Sequence, residues 1–164
     1  MKTFKQFIHE SSLSRVVSKS KKGGTAILSG SRADKSKAEN KARAKQLDKD
    51  IKGKGLPGAT KATGRYTEKD DKTGKETKVR ERSHIVSSGK KGKRAFKKAV
   101  KSLGKKYGQD SVLVQKKKGT AGLTATRKGG LGDKKSVALG KMRPGRASKE
   151  GDTTVKKKPF TYAK

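Results

Sequence analysis

Residues 93–115 read KRAFKKAVKSLGKKYGQDSVLVQ and hold the two clearest elements of the chain. Phe96, Ala99, Val100, Leu103 and Tyr107 recur at the spacing of one helical face, while Lys97, Lys98, Lys101, Lys105 and Lys106 cover the others. Gly108 stops the pattern, and Gln109-Asp110 lead into the apolar run Val112-Leu113-Val114. A helix with one apolar face, followed at once by a buried strand, predicts a helix packed on a sheet.

Working outward, Thr25–Ser29 (TAILS) reads as a strand. Ser36 and Glu39 form the capping-box spacing, and Asn40, Ala44, Leu47 and Ile51 carry a helical stripe that ends at the Leu56-Pro57-Gly58 turn. Residues 64–68 and 78–88 read as strands around a turn at Asp71-Lys72-Thr73-Gly74. In the second of them Val79, Glu81, Ser83, Ile85 and Ser87 alternate with Arg80, Arg82, His84 and Val86. Further strands are expected at 122–126, 136–140, 153–156 and 160–162. The order β-α-β-β-α-β-β predicts an α+β fold. Its expected form is a small, mostly antiparallel sheet with two helices on one face, a short N-terminal helix, and basic flexible loops and tails. The expected division is a targeting helix over 1–10, a basic linker over 11–24 and one basic domain over 25–164, with 130–164 loosely ordered.

Charge dominates the composition. Lys and Arg number 47 against 14 Asp and Glu, a formal net charge of +33, and only 27% of the 164 residues are hydrophobic. Such a chain binds polyanions, and its preference for Lys over Arg favours sequence-independent contact with phosphate over base readout. The expected nucleic-acid surface comprises Lys97, Lys98, Lys101, Lys105, Lys106, Lys116, Lys117, Lys118, Arg127 and Lys128, on the helix and on the loops around it. No long apolar segment points to a membrane. The absence of Cys excludes a disulfide framework and a thiolate metal site.

Signals of catalysis are sparse. His9 and His84 have no companions at metal-ligand spacing, so neither a metal site nor a cofactor is expected. Ser83 and His84 are strand neighbours that point to opposite faces, which removes them as a nucleophile–base pair. Glu68, Asp70, Asp71 and Glu76 belong to a solvated turn.

Two resemblances add to this. Met1, Lys2, Thr3, Phe4, Phe7, Ile8 and Glu10 resemble the capsid-targeting sequence of internal head proteins of T-even-type phages. Phe4, Phe7 and Ile8 share a helical face there, and the resemblance implies cleavage by a prohead protease between Glu10 and Ser11. The body, over about residues 25–126, is similar to a small domain family of unknown function found in bacteria and phages. Asn40, Arg43, Glu81, Ser83, Gly108, Gln109 and Asp110 carry that similarity, and Asn40, Arg43, Glu81 and Gln109 are a candidate polar site.

The combined expectation is a non-enzymatic phage internal head protein, packaged with double-stranded DNA and bound to it non-specifically. Its expected partners are the prohead scaffold or capsid and the prohead protease. Its expected location is the virion interior, and the host cytoplasm before assembly or after injection. The alternatives are a nucleic-acid-binding or ribosome-associated protein, or an enzyme of unknown reaction on the same domain.

Overall fold

Thr25–Ser29 (β1) has a strand on both sides. It pairs antiparallel with Glu76–Ser87 (β3) through Thr25↔Ser87 and Ser29↔Ser83, and with Ser111–Gln115 (β4) through Thr25↔Gln115 and Ile27↔Leu113. A strand with both ladders filled has no edge, and here the pairing runs on until the sheet closes. The computed structural model describes residues 13–70, 72–117, 119–145 and 151–164. The remaining barrel strands are Thr60–Lys69 (β2), Ala121–Ala125 (β5), Ser136–Pro144 (β7), Asp152–Val155 (β8) and Lys158–Ala163 (β9). Around the ring the order is β1-β3-β2-β8-β9-β7-β5-β4, and every pair is antiparallel. Gly130–Asp133 (β6) is a short excursion outside the ring.

This corrects the expected open sheet with two helices on one face. The described residues form a closed eight-stranded antiparallel barrel with three helices, Leu13–Lys22 (α1), Lys37–Gly53 (α2) and Lys93–Lys106 (α3). Residues 130–164, expected to be loosely ordered, supply three of the strands that close it. The segment expected as a basic linker over 11–24 contains α1. The expected targeting helix over 1–10, with Phe4, Phe7, Ile8, Glu10 and the cut before Ser11, lies outside the described residues.

Apolar side chains form two layers, one on each side of the barrel wall. The outer layer joins α2 and α3 to β1, β3 and β4 through Leu28, Leu47, Ile51, Val86, Phe96, Val100, Leu103, Tyr107 and Val112. Ser36 caps α2 as its spacing requires, its Oγ accepting from the Glu39 N–H and its own N–H donating to Glu39. Gly108, at φ +72°, follows the last turn of α3, where Gly108 N–H and Gln109 N–H return to Lys105 and Gly104 carbonyls.

The inner layer gathers Val16 of α1 with Ile85, Val155 and Phe160, and Leu13, Ile27, Ala62, Met142 and Tyr162 pack against it. Strand β3 shows how one sequence serves three purposes. His84 and Val86 face the helices, Ile85 faces the inner apolar layer, and Glu81 and Ser83, further along the inward row, line a cavity. The barrel is thus filled at one end, with α1 as part of the filling, and hollow at the other.

Candidate active site at the mouth of the barrel

The hollow end encloses a cavity of about 1090 Å³. Its floor is the apolar layer itself, because Ile27, Phe160 and Tyr162 belong to both. Its walls are the inward rows of the surrounding strands, including Ser29, Gly64, Tyr66, Glu81, Ser83 and Thr153. Gly64 stands directly opposite Glu81 in the β2–β3 ladder. A Cβ there would come within 2.9 Å of the Ser83 hydroxyl and 3.5 Å of Glu81 Cγ, so this glycine leaves the room that both polar side chains occupy. Phe160 and Tyr162 meet edge to face, with centroids 5.9 Å apart.

Three arginine–aspartate pairs fix the walls. Arg65 on β2 donates two parallel bonds to Asp152 on β8, at 2.9 and 2.5 Å, and the Asp152 carboxylate is buried. That two-point contact raises the Arg65 pKa, and the guanidinium stays charged. Arg32 holds Asp34 at 2.8 Å, which lowers the Asp34 pKa. Arg127 holds Asp110 at 2.7 Å. Among the described residues, the lining holds four carboxylates (Asp34, Glu81, Asp110, Asp152) and three guanidiniums (Arg32, Arg65, Arg127), a formal charge of −1. In a chain of +33, the described part of this lining carries no surplus of positive charge.

The four residues of the candidate polar site divide by role. Glu81 and Gln109 line the cavity. Asn40 and Arg43 lie behind it on α2 and hold its loops. The Asn40 amide accepts from the Arg32 N–H and donates to the Arg32 and Lys35 carbonyls. The Arg43 guanidinium donates to the Gly30 carbonyl at 2.6 Å and the Tyr107 carbonyl at 2.7 Å, and lies over the Tyr107 ring at 5.4 Å. Gln109 Oε1 accepts from the Ser29 N–H, and Arg32 donates to the Gly108 carbonyl. One network therefore ties the loop after β1 to the loop after α3. Tyr66, Phe160, Tyr162, Arg65 and Asp152 also line the cavity but were not among the candidates. The signal for the last was a lone aspartate at the start of a strand in a lysine-rich tail.

Of the residues expected to contact nucleic acid, Lys97, Lys116 and Lys117 line one cavity on the outside of the barrel. Lys97, Lys98, Lys101, Lys105 and Lys106 are exposed on α3, and Lys106 binds Asp50 at 2.7 Å. Lys116 and Lys117 follow β4 on the outer wall, Arg127 is paired at the cavity rim, Lys128 is exposed in the next turn, and Lys118 lies outside the described residues. His84 lies on the far side of the wall from the cavity, 3.2 Å from Asp48 of α2. Among the described residues, no group of three His, Cys, Asp or Glu side chains could hold a metal ion, and no helix is long and apolar enough to cross a membrane.

Comparison with known proteins gives this geometry a context. No curated protein matches the chain. A solved structure of a phage SAM lyase in complex with S-methyl-5′-thioadenosine is similar at 20% identity and a TM-score of 0.40, covering 58% of this chain and 81% of that one. The model of the S-adenosylmethionine lyase family matches residues 26–164, from β1 to the C-terminus. The match takes in every barrel strand but the first residue of β1, and it encloses the body that resembled a phage and bacterial domain of unknown function. It overturns the expectation of a DNA-binding internal head protein without enzymatic activity. With that go duplex DNA, scaffold, capsid and protease as partners. Composition misled here because a surplus of lysine is compatible with many partners and specifies no chemistry. The chain belongs to the S-adenosylmethionine lyase family.

Proposed function

We propose that this protein cleaves S-adenosylmethionine without water or an oxidant, releasing 5′-methylthioadenosine. The observation that carries the reading is the charge of the cavity. S-adenosylmethionine bears a sulfonium, an ammonium and a carboxylate, a net charge of +1, and the described lining of the barrel mouth holds one carboxylate more than guanidiniums in a chain whose overall charge would repel a cation.

The chemistry follows from the substrate. Removing a proton from the carbon next to Cγ requires a strong base, because no neighbouring group acidifies it. Ring closure requires none. The substrate's own carboxylate oxygen bonds to Cγ, the Cγ–S electron pair moves to sulfur, and a neutral thioether departs from a five-membered lactone. Atoms and charge balance with no proton transferred. Reacting atoms already held in one molecule have a large effective concentration, so the protein's task is to fold the methionyl chain back on itself. Carboxylate and sulfonium charges vanish together, and a site walled by Ile27, Leu113, Leu123 and Leu139 favours that loss over water.

In this reading Glu81 binds the α-ammonium, whose charge persists throughout, and orients the carboxylate beside it. A carboxylate set against the sulfonium would instead stabilise the ground state. Tyr66, Phe160 and Tyr162 offer ring faces to the adenine and the sulfonium methyl. Asn40, Arg43 and Gln109 are positioning residues. We place the action in the host cytoplasm, where the substrate is made. The test is incubation of the purified chain with S-adenosylmethionine and chromatography of the nucleoside products. 5′-Methylthioadenosine should accumulate, and an unchanged substrate or S-adenosylhomocysteine as product would overturn the reading.

A further inference from the structure

A second cavity, of about 490 Å³, lies outside the barrel between the first turns of α3 and the outward rows of β4, β5 and β7. The register places Val114, Gly122, Thr124 and Ala138 on that outer face, since Gly122 pairs with both Val114 and Ala138 while Thr124 pairs with Val112 of the outer core. Phe96 of α3 closes one side. Among the described residues, six lysines line the cavity: Lys22, Lys91, Lys93, Lys97, Lys116 and Lys117. No acidic residue lines it among the described residues. Helix α3 begins there with no side-chain cap and no acidic residue in its first turn, so its positive end adds to the same field.

An apolar floor under lysines of one sign selects for a small amphiphile with an apolar body and an anionic head. We propose that this cavity binds such an anion, its head a phosphate or carboxylate held by the lysines and its body laid on Phe96 and the β4–β5–β7 wall. Charge complementarity decides the occupant. A second copy of this chain would bring its own surplus of lysine to the same place, whereas an anionic amphiphile neutralises it. The cavity is distinct from the barrel mouth, and the proposal does not rest on the lyase reading. Leu123 lines both cavities, so an occupant outside lies one strand from the site inside.

The test is calorimetric titration of the full chain at physiological salt with dodecyl phosphate and, separately, dodecanoate, each below its micelle concentration. Inorganic phosphate and dodecanol serve as the two half-ligands. Saturable binding at one equivalent is expected, with the tighter of the two heads identifying the natural one. The double substitution Lys93→Glu/Lys97→Glu should weaken it by roughly tenfold or more, and Ala138→Glu, which puts a carboxylate on the exposed floor, by a similar factor. The double substitution Lys134→Glu/Lys135→Glu, at exposed lysines outside the cavity lining, should leave it unchanged. Equal weakening by the Lys134/Lys135 pair would show diffuse attraction to a basic protein and overturn the proposal. So would phosphate binding as tightly as its dodecyl ester. Sedimentation completes the set: an assembly that dissociates on Ala138→Glu would make this face a contact between copies and likewise overturn it.

Discussion

Glu81 and Ser83 stand two residues apart on one strand, and the alternation that put them on one face was legible in the sequence. What lay beyond it was that Ile85, next in the same row, belongs to the barrel's apolar filling while its two predecessors line a cavity. A period of two says which residues share a side, not how deep each sits. In the proposed reaction Glu81 anchors the substrate's ammonium. Glu81→Gln should lower kcat/KM by roughly 10- to 150-fold, the worth of a charge-assisted hydrogen bond of about 1.5–3 kcal/mol, with the circular dichroism unchanged. Steady-state kinetics checks it. His84 gives a second expectation at this scale. Burial lowers its pKa from 6.5, with Lys61 of β2 acting in the same direction, while Asp48 and the Ala44 backbone of α2 oppose them. The unfolded chain therefore takes up the proton first. Stability associated with His84 is complete above about pH 6.5 and is lost as the pH falls from there through the lower folded value. Urea midpoints measured between pH 7.5 and 5 should decline, and His84→Leu should flatten that decline.

Helices α2 and α3 were legible for a simple reason. Each begins or ends on chemistry that only a helix terminus needs, Ser36 with Glu39 in one and Gly108 in the other, and each buries a regular apolar stripe. Helix α1 was missed. Leu13, Val16, Val17 and Ser20 do keep helical spacing, but Ser18, Lys19, Lys21 and Lys22 among them give the composition of a linker. Its one fully buried apolar side chain, Val16, packs on Ile85, Val155 and Phe160. Val16→Ala should cost about 1–3 kcal/mol, seen as a lower thermal midpoint, because the cavity it leaves faces strands that cannot collapse onto it. Asn40 and Arg43 show a different limit. Their sequence placed them on α2, and their use became visible only when α2 was seen to brace two loops at once. Arg43→Ala should release the Gly30 and Tyr107 carbonyls together and lower kcat/KM by roughly tenfold or more. Arg43→Lys should not restore it, since an ammonium cannot make both bonds in the geometry of the guanidinium.

Across the whole molecule, the closure of the sheet was the feature that strand-by-strand reading could not supply. Pairing partners decide it, and β1 finds one of them about 60 residues away and the other nearly 90. The inward faces gave little help, because a barrel that carries a polar cavity need not show apolar alternation along every strand. Charge misled in a related way. The net value of +33 is a sum over the chain, whereas the described lining of the barrel mouth carries a formal charge of −1 and the described charged lining of the recess beside α3 is all lysine. The most direct test of the central claim is the fate of the methionyl fragment when the reaction runs in ¹⁸O-labelled water. Mass spectrometry of the first-formed four-carbon product should show a lactone without the heavy isotope, since its ring oxygen comes from the substrate's own carboxylate. Homoserine carrying one ¹⁸O on its side-chain hydroxyl from the earliest times would mean that water attacks Cγ, and would contradict a lyase at the barrel mouth.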